Sequence, residues 1–233
     1  ANTTGASNVA VGGYSLLSNT TASYNTALGY QASLNATTGA VNTFVGGLSA
    51  GLGVVTGSHN VGLGAETLYR LTSGGSNVSI GYQALQFNTT GSSNIAIGRE
   101  ALENNTTASN NTAVGYQAGY STTTGGENSY FGRFSGKGVT TGTGNVFLGA
   151  RAGNYVTPTT TGNYNTVIGS YSKVGNGGDS NAVAIGHNIV GTSGFTTLGD
   201  ATNDIRAAHG NVTWQTVSDQ RYKKDIVDST AGL

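Results

Sequence analysis

Few residues in this chain carry groups able to do chemistry, and most of them stand alone. His59, His187 and His209 are the only histidines, there is no cysteine, and no carboxylate lies beside any of the three at metal-ligand spacing, so no metal or other cofactor is expected. Glu100 and Glu103 are the nearest approach to a pair of carboxylates; nothing in the local pattern aims both at one substrate, and they read as solvent-facing surface. The segment Gly175-Asn176-Gly177-Gly178-Asp179 has the composition of a calcium-binding turn, but calcium rolls use such turns in tandem and this one occurs once, so it reads as an ordinary loop. No Gly-Lys-Ser/Thr is present to hold a phosphate. Tyr30, Tyr82 and Tyr116 recur in one context, Tyr-Gln-Ala directly after a glycine. Two readings stay open for them: packing between neighbouring repeats, or aromatic platforms for sugar rings. Near the end of the chain Ser218, Asp219, Lys223 and Lys224 gather a hydroxyl, a carboxylate and two amines; by spacing alone the lysines read as solvated charges. No active site is legible, and enzymatic activity is not expected.

The elements that must position these residues follow from composition and period. Gly (39), Thr (34), Asn (24) and Ser (22) supply 119 of 233 residues, with one Pro, no Met and 20 charged side chains that cancel to zero net charge. That excludes collagen and disulfide scaffolds, and it leaves no basic footprint for nucleic acid. No apolar run approaches the roughly 18 to 20 residues of a membrane span, so a soluble chain without membrane insertion is expected. The pentapeptide Asn-x-small-aliphatic-Gly ends at Gly12, Gly29, Gly46, Gly64, Gly81, Gly98, Gly115, Gly132, Gly149 and Gly169, with variants at Gly186 and Gly199; the usual spacing is 17. A fixed period of this length is the signature of a solenoid, whose repeats bury a core only by stacking.

Within each repeat the residue before the glycine is apolar and the one two earlier is mostly β-branched, a period-two pattern that predicts a strand. On this reading the residues before the glycine, such as Ile97, form the core. The middle residues, among them Phe44, Tyr130, Phe147 and Val167, face away and need cover from other copies. A second short segment after the glycine and a closing Thr-Thr-Gly turn complete a coil with two strands and two turns. At about 4.8 Å per coil, twelve coils give a rod on the order of 55 Å long, with Asn8, Asn25, Asn42 and their successors bonding from coil to coil as a ladder.

The Asn-x-Ala-Val-Gly-x-x-Ala repeats over residues 1–199 resemble the left-handed β-roll head of trimeric autotransporter adhesins of the YadA type, and the same repeat in phage tail fibres. The family's repeat is shorter, so the cross-section here should differ. The fold expected is therefore all-β: a left-handed parallel β-roll of about twelve coils of 17 residues, assembled as a parallel homotrimer. Residues 200–217 read as a neck. From residue 218 the chain runs Ser218-Asp219-Gln220-Arg221-Tyr222-Lys223-Lys224-Asp225-Ile226, which resembles the opening of the self-cleaving intramolecular chaperone of phage endosialidases and many tail fibres. That resemblance implies a cleavage junction at Ser218 with Asp219 and Lys223 in support, a Ser and Lys being a chemically reasonable nucleophile pair. Residues 218–233 are then the start of that domain, and cleavage is expected only in a longer precursor. Together the resemblances imply the structural and receptor-binding region of a trimeric viral tail fibre, on the virion or an extracellular surface, with a host cell-surface glycan or protein as receptor. The alternatives are the head of a bacterial trimeric adhesin and an ice- or surface-binding solenoid.

Overall fold

The computed structural model describes residues 2–153, 161–201, 204–210 and 215–216. These residues hold strands and turns and no helix, so no helix is long and apolar enough to cross a membrane. Ten three-residue strands come first: β1 (Val9–Val11), β2 (Thr26–Leu28), β3 (Thr43–Val45), β4 (Val61–Leu63), β5 (Val78–Ile80), β6 (Ile95–Ile97), β7 (Thr112–Val114), β8 (Ser129–Phe131), β9 (Val146–Leu148) and β10 (Thr166–Ile168). They are followed by β11 (Lys173–Val174), β12 (Val183–His187), β13 (Val190–Gly191), β14 (Phe195–Asp200), β15 (Ile205–Ala208) and β16 (Gln215–Thr216). Strands β1 to β10, β12 and β14 form one parallel ladder in unbroken register, Ala10 opposite Ala27 opposite Phe44 and so on. The twelve motif copies are thus twelve strands, and the chain between them makes a solenoid of about 11 turns of ~17 residues. Strands β15 and β16 add antiparallel to the end of the ladder, so the backbone groups of β14 meet a partner strand within the segment read as a neck.

Each coil holds one strand of the main ladder instead of two. The residues after each glycine form turns in which alternate side chains adopt the left-handed conformation, as at Gln31 (φ 55°) and Ser33 (φ 53°), and this breaks any extended run. The small residue between them, Ala32 and its equivalents Ala84, Ala101, Ala118 and Ala152, is folded inward and fully buried. The faces of the strand are also the reverse of the sequence expectation. Phe147, Tyr130, Phe44 and Val167 are buried within their own chain, whereas Ile97 is 36% and Leu148 48% exposed. The physical reason is the width of the coil: its interior admits one strand side chain, and the two flanking positions point to the opposite face and are left outside.

That narrow interior is filled by alternating sizes along the axis. Where the inward strand residue is small, at Gly62, Ser79 and Ala96, the buried core also holds Leu68, Leu85 and Leu102. Where the strand supplies a large ring, Tyr130 or Phe147, the turn supplies Gly119, Gly136 or Gly153; a Cβ on Gly119 would lie 2.6 Å from Tyr130 Cδ2. The glycine that ends each strand has a different task. Gly132 has φ +127°, and a Cβ there would lie 2.6 Å from the carbonyl oxygen of Gly149, so only glycine lets successive coils approach to strand spacing.

The asparagine ladder supplies the second set of inter-coil bonds. The backbone N–H of Asn25 donates to Asn8 Oδ1, and the same bond recurs at Asn42, Asn60, Asn77, Asn94, Asn111, Asn128, Asn145 and Asn165, each at 2.8 to 3.0 Å. The other half of each amide closes its own coil, as Asn111 Nδ2 does by donating to Gly125 O at 3.0 Å.

Candidate functional site

The junction residues Ser218, Asp219 and Lys223 lie outside the described residues, so their mutual geometry carries no argument. Among the described residues no group of three or more His, Asp or Glu is placed to hold a metal ion. His59 stands apart from the other two. His187 Nδ1 meets Asp200 Oδ1 at 3.3 Å, and His209 Nε2 meets Thr196 Oγ1 at 3.3 Å.

Glu100 and Glu103 correct the sequence reading, because both are buried rather than solvent-facing. The turn after Gly98 brings them onto one inward-leaning flank. Glu100 accepts from Gln117 Nε2 one coil on, and from Arg99 Nε at 2.7 Å. The Gln117 bond, with Arg99 beside it, holds the Glu100 carboxyl below the usual carboxylate range even though burial acts the other way. Burial, reinforced by the charge of Glu100, pushes Glu103 up. A carboxyl whose folded pKa is raised costs stability while it is ionised, and that cost vanishes as pH falls through its folded pKa. Glu103→Gln is therefore expected to raise the melting temperature at neutral pH, with the gain shrinking on acidification; melting curves across pH check the sign.

The three recurring tyrosines are exposed and also make inter-coil contacts. Tyr30, 57% exposed, packs edge-on against Tyr14 with centroids 5.9 Å apart. Tyr82 and Tyr116 lie on either side of Arg99, whose Cζ is 5.6 and 6.0 Å from their ring centroids. Because every coil places its post-glycine residues at the same point of the cross-section, this row continues down the rod. Tyr116 meets Phe134 edge-on at 5.1 Å, Arg151 lies 5.5 Å from Phe134 and 5.6 Å from Tyr171, and Tyr171 packs edge-on against His187. Aromatic rings and cations are thus interleaved on one flank of the molecule.

A further flank carries a groove that the sequence reading missed. It has a volume of about 480 Å³ and is lined by Arg70, Phe87, Asn104 and Ser121, which hold one position in four consecutive coils, and by Thr89, Thr106 and Thr123 two residues on. The threonine hydroxyls donate from coil to coil, Thr72 to Thr89 O at 2.9 Å and Thr89 to Thr106 O at 2.9 Å, continuing through Thr106 and Thr123. Their protons are engaged with backbone while their oxygen lone pairs remain able to accept. Arg70 lies 5.0 Å from the Phe87 centroid, and Asn104 Nδ2 donates to Tyr120 O at 3.0 Å, which leaves its Oδ1 to accept. An aromatic floor with a row of acceptors suits a ring that is apolar on one face and carries hydroxyl donors at its edge. The lining offers a guanidinium, an aromatic ring, an amide and a row of hydroxyls. A column read at a fixed offset from the glycine is the signal that would have found it.

Comparison with protein-family models, with curated proteins and with solved structures gives no match to this chain.

Proposed function

We propose that this chain is the structural and receptor-binding region of a trimeric viral tail fibre that attaches a virion to its host's surface. The observation that carries the reading is the outer face of the strand ladder. The flanking positions Val9, Val11, Leu28, Ile95, Ile97, Phe131, Val146, Leu148 and Ile185 are all exposed, and they line up coil after coil on a chain otherwise dominated by Gly, Thr, Asn and Ser. An apolar stripe that runs the length of a rod is covered when identical rods associate in parallel with their stripes facing a common axis, and cyclic closure leaves no copy uncovered. The need for cover that the sequence assigned to Phe147 and its equivalents belongs instead to their neighbours.

The resemblance of the repeats to adhesin heads and of residues 218–226 to a chaperone junction supports a fibre over a bacterial surface adhesin. In such a trimer the groove at Phe87 lies on a different part of the coil from the strand and is presented three times. Three weak receptor contacts then sum through effective concentration. An ice- or surface-binding role fits less well, because the threonine hydroxyl protons point to backbone carbonyls and the neighbouring column holds Arg70, Phe87 and Asn104. The test is a glycan-array and host-cell adhesion screen of the purified 233-residue chain alongside Phe87→Ala. Binding is expected for the wild type, with at least a tenfold loss in Phe87→Ala, comparable to removing one stacked aromatic at about 1 to 3 kcal/mol. Absence of any cell or glycan binding by the wild type sinks the reading.

A further inference from the structure

The geometry points to a second binding site, for an anionic saccharide polymer, at the cluster of Arg133, Lys137 and Arg151 around Phe134; it rests on the adhesion reading above and adds a ligand class to it. The chain has only ten Lys and Arg in 233 residues, yet three of them surround one ring. Arg133 Cζ lies 4.8 Å, Lys137 Nζ 4.9 Å and Arg151 Cζ 5.5 Å from the Phe134 centroid. The ring's quadrupole lets like charges gather there but does not neutralise them.

Of the described carboxylates, Glu100 lies near enough to Lys137 to feel its charge but makes no ion pair with it. Glu100 is already held by Gln117 and by its ion pair with Arg99. Arg151 adds an independent sign, because its Nε is buried and donates to nothing within the described chain. A buried guanidinium donor without an acceptor, beside two more unpaired cations, is a site that lacks its anion.

The neighbours of the cluster favour a sugar polymer over an acidic peptide. Tyr116, 37% exposed, touches Phe134 edge-on, and Tyr120 lies 5.5 Å from Lys137 Nζ, so aromatic faces and hydroxyls flank the charges. Arg133 and Arg151 occupy successive coils, joined by the bond from Arg151 N–H to Arg133 O. Successive coils are about 4.8 Å apart, close to the length one pyranose adds to a chain. A polysaccharide with a carboxylate or sulfate on each residue, lying along the rod, would meet Arg133 and Arg151 with successive sugars.

The experiment titrates the 233-residue chain at low salt with alginate as a polyuronate, heparin as a sulfated chain, dextran as a neutral chain and poly-glutamate as an acidic peptide. Alginate or heparin, or both, are expected to bind with dextran silent, and which of the two binds more tightly assigns carboxylate or sulfate. Arg133→Gln with Lys137→Gln is expected to weaken that binding at least tenfold, and adding Arg151→Gln to weaken it further. The double variant leaves Arg151 in place, so it decides the matter if the triple variant fails to fold. Absence of binding to both anionic saccharides, undiminished binding by the double variant, or poly-glutamate binding as tightly as the saccharides overturns the assignment. If host-cell adhesion persists unchanged in the double variant, this site falls and the adhesion reading stands; if the wild type adheres to nothing, both fall.

Discussion

Asn111→Ala is expected to destabilise the middle of the solenoid by about 2 to 6 kcal/mol, because it strips partners from two buried backbone groups at once. Asn111 Oδ1 accepts the backbone N–H of Asn128 at 3.0 Å, and its Nδ2 donates to Gly125 O at 3.0 Å. Alanine leaves both groups inside the coil, where water does not replace the lost bonds, and each such group costs about 1 to 3 kcal/mol. Asn8 makes the corresponding bonds to Asn25 N–H and Ala22 O, but it is only half-buried in the first described coil. Its replacement should cost less than half as much. Because neighbouring repeats support one another, the damage should be local: faster hydrogen exchange at the amides of Asn128 and its flanking strand, with the coils nearer Gly12 little changed. Equal and small effects at both positions would show that the ladder selects register without stabilising it.

The same ladder explains why much of the fold was legible from residue types. An asparagine that must find one partner in the coil ahead forces a constant period, and a glycine that must sit against the carbonyl of Gly149 or its equivalents cannot be exchanged for another residue. Both constraints therefore appear directly in the spacing. The orientation of the strand was not legible, since Val-Ala-Val and Ile-Ala-Ile are apolar on both faces and a period of two is symmetric between them. What breaks the symmetry is the inward turn at Gln31 to Ser33 and its equivalents, and ordinary side chains in the left-handed conformation leave no compositional mark. The groove was hidden for a related reason. Its column reads Arg70, Phe87, Asn104 and Ser121, four unlike residues, and a search for what recurs discards the positions that vary. Binding residues on a repeat scaffold belong at such positions, because the core fixes the others.

Leu148→Asp is expected to abolish the trimer while leaving the single chain folded, and this contrast tests the proposed assembly more sharply than any change in the core. Leu148 flanks Phe147 on β9 and is 48% exposed in the isolated chain, so a carboxylate there should alter the stability of the fold by only about half a kcal/mol. In a parallel trimer closed over the strand faces, symmetry places three copies of the same residue near the axis. Each carboxylate would be taken out of water against its two equivalents, at an effective cost of several kcal/mol per ion. Phe147→Asp behaves differently, because Phe147 is fully buried in its own coil and a charge there should unfold the neighbouring coils. Sedimentation and circular dichroism separate the two outcomes. The wild type should sediment at three times its 23.4 kDa, Leu148→Asp at 23.4 kDa with an unchanged β spectrum, and Phe147→Asp should lose spectrum and solubility together. A wild type that sediments as a monomer removes the trimer, and a Leu148→Asp chain that still sediments as a trimer moves the interface away from the strand face.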